Sequence, residues 1–256
     1  MFNQYTAMGK LFIFQLKFIV VFFLASCQTV FQPKAVQFKD YRITQSAPVD
    51  QKLLALLKPY GDSVNKSMND VIAVAAIDLE KKQPEGTLGN LLADAMLSIA
   101  KQKYKTDVDA SFINYGGIRL PSIAAGNISR GKIFELAPFD NIIVLLKVNG
   151  KILTEFLNHL SLRNGWPEAG ASWKIKDKKA AAIMINGKPI DDATIYTIAT
   201  LDYVANGGDD CVMLRNIPQI NNGTLFRDAV IEYFSSFAKE GKKITSKIEN
   251  RITHAQ

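Results

Sequence analysis

Three short segments of this 256-residue chain hold residue types that can grip a small polar ligand. The first is Asn114-Tyr115-Gly116-Gly117-Ile118-Arg119, which closes an apolar run. Paired glycines let backbone N–H groups approach a ligand closely. An arginine at the rim can hold a phosphate or carboxylate through a two-pronged hydrogen bond. In isolation, such a string is more often a simple glycine turn. The second segment runs from Asp202 through Tyr203, Asn206, Gly207 and Gly208 to Asp209 and Asp210. Tyr203 could stack on a planar ring, and Asp209 could accept hydrogen bonds from ribose hydroxyls or base N–H groups. Alone, it is more often a glycine turn with a capping aspartate. The third is Pro138-Phe139-Asp140-Asn141, just ahead of a fully apolar run. Without context Phe139 there is a core plug or a ligand platform.

The chemistry that is missing narrows the field. The chain has two histidines, His159 and His254, and two cysteines, Cys27 and Cys211. That is too few for a zinc ribbon, an iron–sulfur site or a disulfide framework. No Ser–His–Asp arrangement can be argued from them. His159 falls within a helical pattern and reads as a surface or half-buried residue. His254 reads as disordered. The formal charge is +7, but lysines and acids are interspersed and no arginine-rich stripe appears. A nucleic-acid surface usually needs a clustered patch, so nucleic acid is not an expected partner. At 48% hydrophobic and 21% charged residues, the composition is that of an ordinary globular protein.

The elements that must position these loops follow from periodicity. Asp50 to Met68 is helical in period, with Asp50 as N-cap and a kink or break expected at Pro59 and Gly61. Val71 to Leu79 reads as one buried strand. Leu88, Leu91, Leu92, Ala95, Met96 and Ile99 form a single stripe, so Leu88 to Tyr104 is the clearest helix, with Thr87 as its cap. Ala110 to Asn114, Ile142 to Val148, Ala180 to Ile185 and Ile195 to Leu201 read as strands. Asn186-Gly187 is the strongest hairpin signal, and Pro189 places the returning strand at an edge. Lys151 to Leu162 and Leu225 to Phe237 are two more helices. Hairpins interspersed with helices predict an α+β fold: one domain with a mixed or antiparallel sheet and packed helices.

Taken together, the segments resemble the C-terminal, substrate-binding domain of the secreted 5'-nucleotidase family. The likeness runs through Gly86-Thr87-Leu88-Gly89-Asn90-Leu91-Leu92-Ala93-Asp94-Ala95, the Asn114–Arg119 loop, Pro138–Asn141, Val148-Asn149-Gly150 and Asp202–Asp210, in family order. It implies a nucleotide or nucleoside site. Phe139 and Tyr203 would sandwich the base, and Asp209 would contact the nucleoside. Asn114 and Arg119 would contact ribose and phosphate. Gly117, Asn206 and Gly208 belong to the same binding strings. One departure stands out. Family members commonly carry an arginine just before the Leu-Gly-Asn helix, and here the stretch reads Gln83-Pro84-Glu85-Gly86-Thr87. Lys81 or Lys82 could stand in only as a point charge. The family's catalytic half holds two divalent metals through Asp-x-His and Gly-Asn-His strings. This chain has neither string, so no catalytic residue, metal ligand or cofactor is expected in it.

The N-terminus reads as an address. Lys10 and Lys17 precede the apolar run Phe18 to Ala25, too short for the ~20 residues of a membrane span. Leu24-Ala25-Ser26-Cys27 resembles a bacterial lipobox, which makes Cys27 the expected lipidation site. An uncleaved anchor with a chance cysteine is the alternative. The expected organisation is a signal peptide over 1–26, a tether over 27–47, the binding domain over 48–240 and a polar tail over 241–256. The protein would be exported and membrane-anchored, on the periplasmic or cell-surface side. Two functional readings stay open. In one, the chain docks with a separate metallophosphatase chain to rebuild a hydrolase of nucleotide catabolism. In the other, it is a stand-alone lipid-anchored nucleoside or nucleotide receptor.

Overall fold

The computed structural model describes residues 37–40 and 48–255. The chain divides into two units, Met1–Asp50 and Gln51–Gln256. In the first, the described residues carry no helix or strand. Cys27 and the apolar run before it lie outside the described residues, as does most of the expected tether.

The second unit is built on a five-stranded sheet. Its spine is β6 (Ile142–Asn149), whose Ile143, Val144, Leu145 and Leu146 are all fully buried. A continuous apolar run is what a strand covered on both faces requires. Antiparallel to it on one side lies β11 (Ile195–Leu201), in register from Ile195 opposite Asn149 to Leu201 opposite Ile143. Beyond β11 come β3 (Ala110–Phe112), parallel to it, and β7 (Glu168–Ala169), antiparallel to β3. The other edge is β12 (Gln219–Leu225), antiparallel to β6. The sheet is therefore mixed, and the fold is the expected α+β class.

Helices supply the remaining core. In α2 (Thr87–Tyr104) the stripe from Leu88 to Ile99 is buried. It packs against α6 (Phe226–Lys239), which buries Phe226, Val230 and Phe234. The helix α4 (Gly150–Leu162) buries Leu153, Phe156, Leu157 and Leu160. The Asn149 side chain caps it, accepting from the Ile152 N–H at 2.9 Å. A second sheet has the order β10 (Lys188–Pro189), β9 (Lys179–Ile185), β8 (Ala171–Lys176), β13 (Ile252–His254). Asn186 and Gly187, at φ 49 and 73, make the left-handed two-residue turn expected between β9 and β10.

Five expectations need correction. The helix α1 (Gln51–Met68) runs on through Pro59 and Gly61; losing one N–H did not end it. Val71 to Leu79 is two strands, β1 (Val71–Ala75) and β2 (Leu79–Glu80), because the Asp78 carboxylate between them turns to accept from Ala125 N–H at 2.7 Å. The N-cap of α2 is Gly86, not Thr87. A Cβ at Gly86 would collide with the backbone of Glu80 and Lys82, and the Thr87 hydroxyl instead accepts from the Glu80 N–H. The expected polar tail is not one over its described residues, 241–255. Ile244 and Ile252 are buried, Ile244 exchanges backbone hydrogen bonds with Val74 and Ala76, and Ile252–His254 pairs in parallel with β8. His254, expected to be disordered, lies in that strand. The charged residues around the two isoleucines hide any strand period.

Candidate functional site

Topology brings the three loops to one end of the large sheet. β3 and β11 run parallel, so the Asn114–Arg119 loop after β3 and the Asp202–Asp210 segment after β11 emerge together. β6 is antiparallel to β11, so the Pro138–Asn141 segment entering it sits at the same end. The Asp202 carboxylate ties two of them, accepting from Ile142 N–H at 3.0 Å and from Tyr203 N–H at 2.9 Å. A cavity of about 340 Å³ opens there, lined by Asn114, Gly116, Gly117, Arg119, Phe139, Asn141, Tyr203 and Asp209. That volume is at the lower end of small-molecule sites.

Phe139 and Tyr203 are 47% and 45% exposed, so neither ring is a core plug. Phe139 is held from behind by Arg227 on α6. The guanidinium donates to the Pro138 carbonyl at 3.2 Å and to the Asp140 carboxylate at 2.5 Å. Arg119 lies over the Phe139 ring, 5.8 Å from its centroid. Tyr203 is the second residue of the short helix α5 (Asp202–Ala205), and Gly208 packs against its ring. A Cβ at Gly208 would come within 2.5 Å of a ring carbon, so only glycine fits.

Asp209 is fixed at the cavity wall. Its carboxylate accepts from Asn114 Nδ2 at 2.8 Å and from the Tyr203 hydroxyl at 3.2 Å. Asn114 is buried, and its Oδ1 has no hydrogen-bond partner among the described residues. That oxygen is close enough to Gly117 that a Cβ there would approach it to 2.6 Å, which explains the second glycine of the pair. Of the residues expected at the site, Asn114, Gly117, Arg119, Phe139, Tyr203 and Asp209 line the cavity. Asn206 and Gly208 do not. Asn206 accepts from Gln219 Nε2 at 2.9 Å and so anchors the loop to β12, and Gly208 backs the tyrosine. Gly116 and Asn141 line the cavity without having been singled out, although both sit inside the quoted strings. Arg227 gave no sequence signal, since its role depends on α6 packing beneath the Phe139 loop.

The two lysines near the missing arginine part ways. Lys82 pairs with Glu80 at the surface. Lys81 donates to the Ile118 carbonyl at 2.7 Å and lies 3.9 Å over the Tyr115 ring. Burial, and then the neighbouring Arg119 charge, lower its pKa. Cys211 follows the loop and is fully buried. Burial, with the Asp209 charge beside it, pushes its thiol up to about 12, which makes it a poor nucleophile. Among the described residues, no three His, Cys, Asp or Glu side chains gather as a metal ion would require.

Residues 64–216 match the family described as 5'-nucleotidase, C-terminal domain. The chain belongs to that 5'-nucleotidase family. It is 28% identical over 197 residues to protein UshA of Escherichia coli, a match that covers 72% of this chain and 34% of the relative. The 5'-nucleotidase of Vibrio cholerae is 24% identical over 204 residues, covering 75% and 36%. The solved 5'-nucleotidase precursor of Thermus thermophilus superposes with a TM-score of 0.67 at 26% identity, covering 82% of this chain and 44% of that one. This 5'-nucleotidase-family chain thus spans about a third of the length of the curated relatives it matches. The part it shares is described as their C-terminal domain.

Proposed function

We propose that the domain recognises the substrate of a 5'-nucleotidase-type hydrolase, with the base between Phe139 and Tyr203. The observation that carries this reading is the pair of half-exposed rings on one cavity whose wall is Asp209. Two aromatic faces hold any base, whereas a carboxylate selects N–H or ribose O–H donors. Asn114 holds Asp209 toward the sugar, and Arg119 at the rim reads the phosphate. Gly117 gives that loop its close approach, while Asn206 and Gly208 brace the tyrosine loop. The stretch where relatives carry a further arginine does other work here. Gln83 caps the Arg163 and Gly165 carbonyls, and Glu85 holds Asn90 and the backbone N–H groups of Glu249 and Arg251. Lys81 beside Arg119 is the remaining cation for phosphate. Calorimetry with adenosine and AMP tests the reading. Binding of both, with AMP tighter, is expected; no heat with either ligand overturns it.

The hydrolytic step is assigned to a separate metallophosphatase chain carrying two divalent metals. In support, α1 presents Leu56, Leu57, Tyr60 and Val64 on one side, all more than half exposed, at the N-terminal edge of the domain. Relatives in which this domain is C-terminal carry the rest of their chain ahead of it. Phosphate release from AMP by the mixed chains with divalent metal, and by neither alone, is the expected result. None from the mixture overturns the assignment and leaves the second reading, a stand-alone nucleoside receptor, for which the missing arginine speaks. Export with lipid on Cys27 completes the proposal and is checked by mass spectrometry of the mature N-terminus. Among the described residues, no helix is long and apolar enough to cross a membrane.

A further inference from the structure

The loop that presents Asp209 is strained. Asp209 and Asp210 follow one another at φ 50 and 61, a left-handed conformation that costs a residue with a Cβ energy, less for aspartate than for most, and two in succession add that cost. The contacts from within the site, Asn114 and Tyr203, reach the Asp209 carboxylate and N–H. Neither reaches its carbonyl. That group meets α4, where His159 Nε2 lies 2.8 Å from it. The same ring nitrogen lies 2.9 Å from Arg163 Nε, one turn further on. One nitrogen cannot donate to a carbonyl and accept from a guanidinium at once. The Nε2–H tautomer donates to the Asp209 carbonyl, beside a weak contact from the Cys211 thiol at 3.8 Å, and leaves Arg163 to its 2.5 Å ion pair with the Asp210 carboxylate; the other tautomer accepts from Arg163 and sets a lone pair against the carbonyl oxygen. Trp166, buried, meets the imidazole edge-on at 6.5 Å between centroids and fixes its plane.

We propose that His159, as the Nε2–H tautomer, is the positioning residue for Asp209, with Arg163 holding Asp210 beside it: together they impose from behind the left-handed kink that aims the carboxylate into the cavity. His159 does not line that cavity, so it acts through the loop and not on the ligand. The inference rests on the nucleoside reading for the ligand it serves, while the holding of the loop stands on geometry alone. The helix suits the task. Four of its apolar residues are fully buried, its N-terminus is capped, and it packs against the turn that follows Cys211.

The test compares the purified protein with His159→Ala, His159→Phe and His159→Gln. The phenylalanine keeps the ring without a donor, and the glutamine keeps an N–H donor without the ring. Two readouts are taken: hydrogen exchange at the Asp209–Cys211 amides, and adenosine affinity by calorimetry. Alanine and phenylalanine should each speed exchange there at least tenfold and weaken adenosine about 5- to 50-fold, at a nearly unchanged melting temperature. Glutamine should restore most of both. Unaltered exchange in the alanine variant overturns the proposal. So does a phenylalanine variant that behaves as wild type, because packing would then suffice. Faster exchange with unaltered adenosine affinity shows that the loop is held but that the hold does not serve the ligand, and this also overturns the positioning role. If the wild-type protein binds neither adenosine nor AMP, the nucleoside reading fails, and the exchange arm alone decides whether His159 holds the loop.

Discussion

Phe139 and Tyr203 keep nearly half their surface in water, although a core lay within reach of both loops. Each is held there by a specific device, Arg227 bound to Pro138 and Asp140, and Gly208 packed close against the tyrosine ring. Base stacking on one aromatic contributes roughly 1–3 kcal/mol, about 5- to 150-fold in affinity. Phe139→Ala and Tyr203→Ala should each weaken adenosine by a factor in that range, with Tyr203→Ala at the upper end because it also removes a donor from Asp209. Unchanged calorimetric affinity in both variants would reject the stacking site. The aromatics, the arginine and the aspartate were legible from the sequence because their types and order are distinctive. Asn206 and Gly208 were legible only as members of a string. Their sequence positions could not show that one faces β12 and the other a ring.

At the scale of elements, the unexpected structure is the C-terminal segment. Arg251 donates to the Glu168 carbonyl at 2.7 Å and pairs with Asp94 on α2 at 2.9 Å, which ties β13, β7 and α2 together. Truncation after Lys247 removes this guanidinium and buried Ile252. It should leave a chain without a cooperative thermal transition by circular dichroism; a sharp melt within a few degrees of wild type would contradict it. Glu168 itself is buried, with Oε2 accepting from Ala171 N–H and Oε1 without a hydrogen-bond partner among the described residues. Burial raises its pKa from the ordinary 4.5 to about 8. Across that interval the folded chain holds the proton more tightly than the unfolded chain. The stabilisation is complete below about 4.5 and is lost as pH rises through about 8, with a slope of up to about 1.4 kcal/mol per unit. Glu168→Gln should flatten this part of the profile and raise stability at pH 8 to 9, as read by urea unfolding at several pH values. An unaltered profile would show that Glu168 is ionised in the fold.

For the whole molecule, the domain has a full core and a formed cavity, yet α1 has no buried residue. An amphipathic helix gains its stability by covering its apolar side, and the partner assigned above is what would cover this one. Leu57→Asp and Tyr60→Asp, both on exposed positions, should leave the melting temperature and adenosine affinity unchanged. They should abolish AMP hydrolysis by the mixture with a metallophosphatase chain. Retained hydrolysis would place the docking surface elsewhere.

The sequence alone determined the local chemistry and most of the elements: the α2 stripe, the apolar spine of β6, the Asn186-Gly187 turn and the three ligand-type loops. Such features are written in residue type and short spacing. Only the tertiary structure decided that three loops from distant parts of the chain share one sheet end, since parallel β3 and antiparallel β6 flank β11. It also decided that the apparent tail is a strand, that Arg227 supports Phe139, and that His159 meets the Asp209 carbonyl. These depend on contacts between residues 50 to 90 positions apart or more, and no local pattern encodes which side chain a distant backbone will meet.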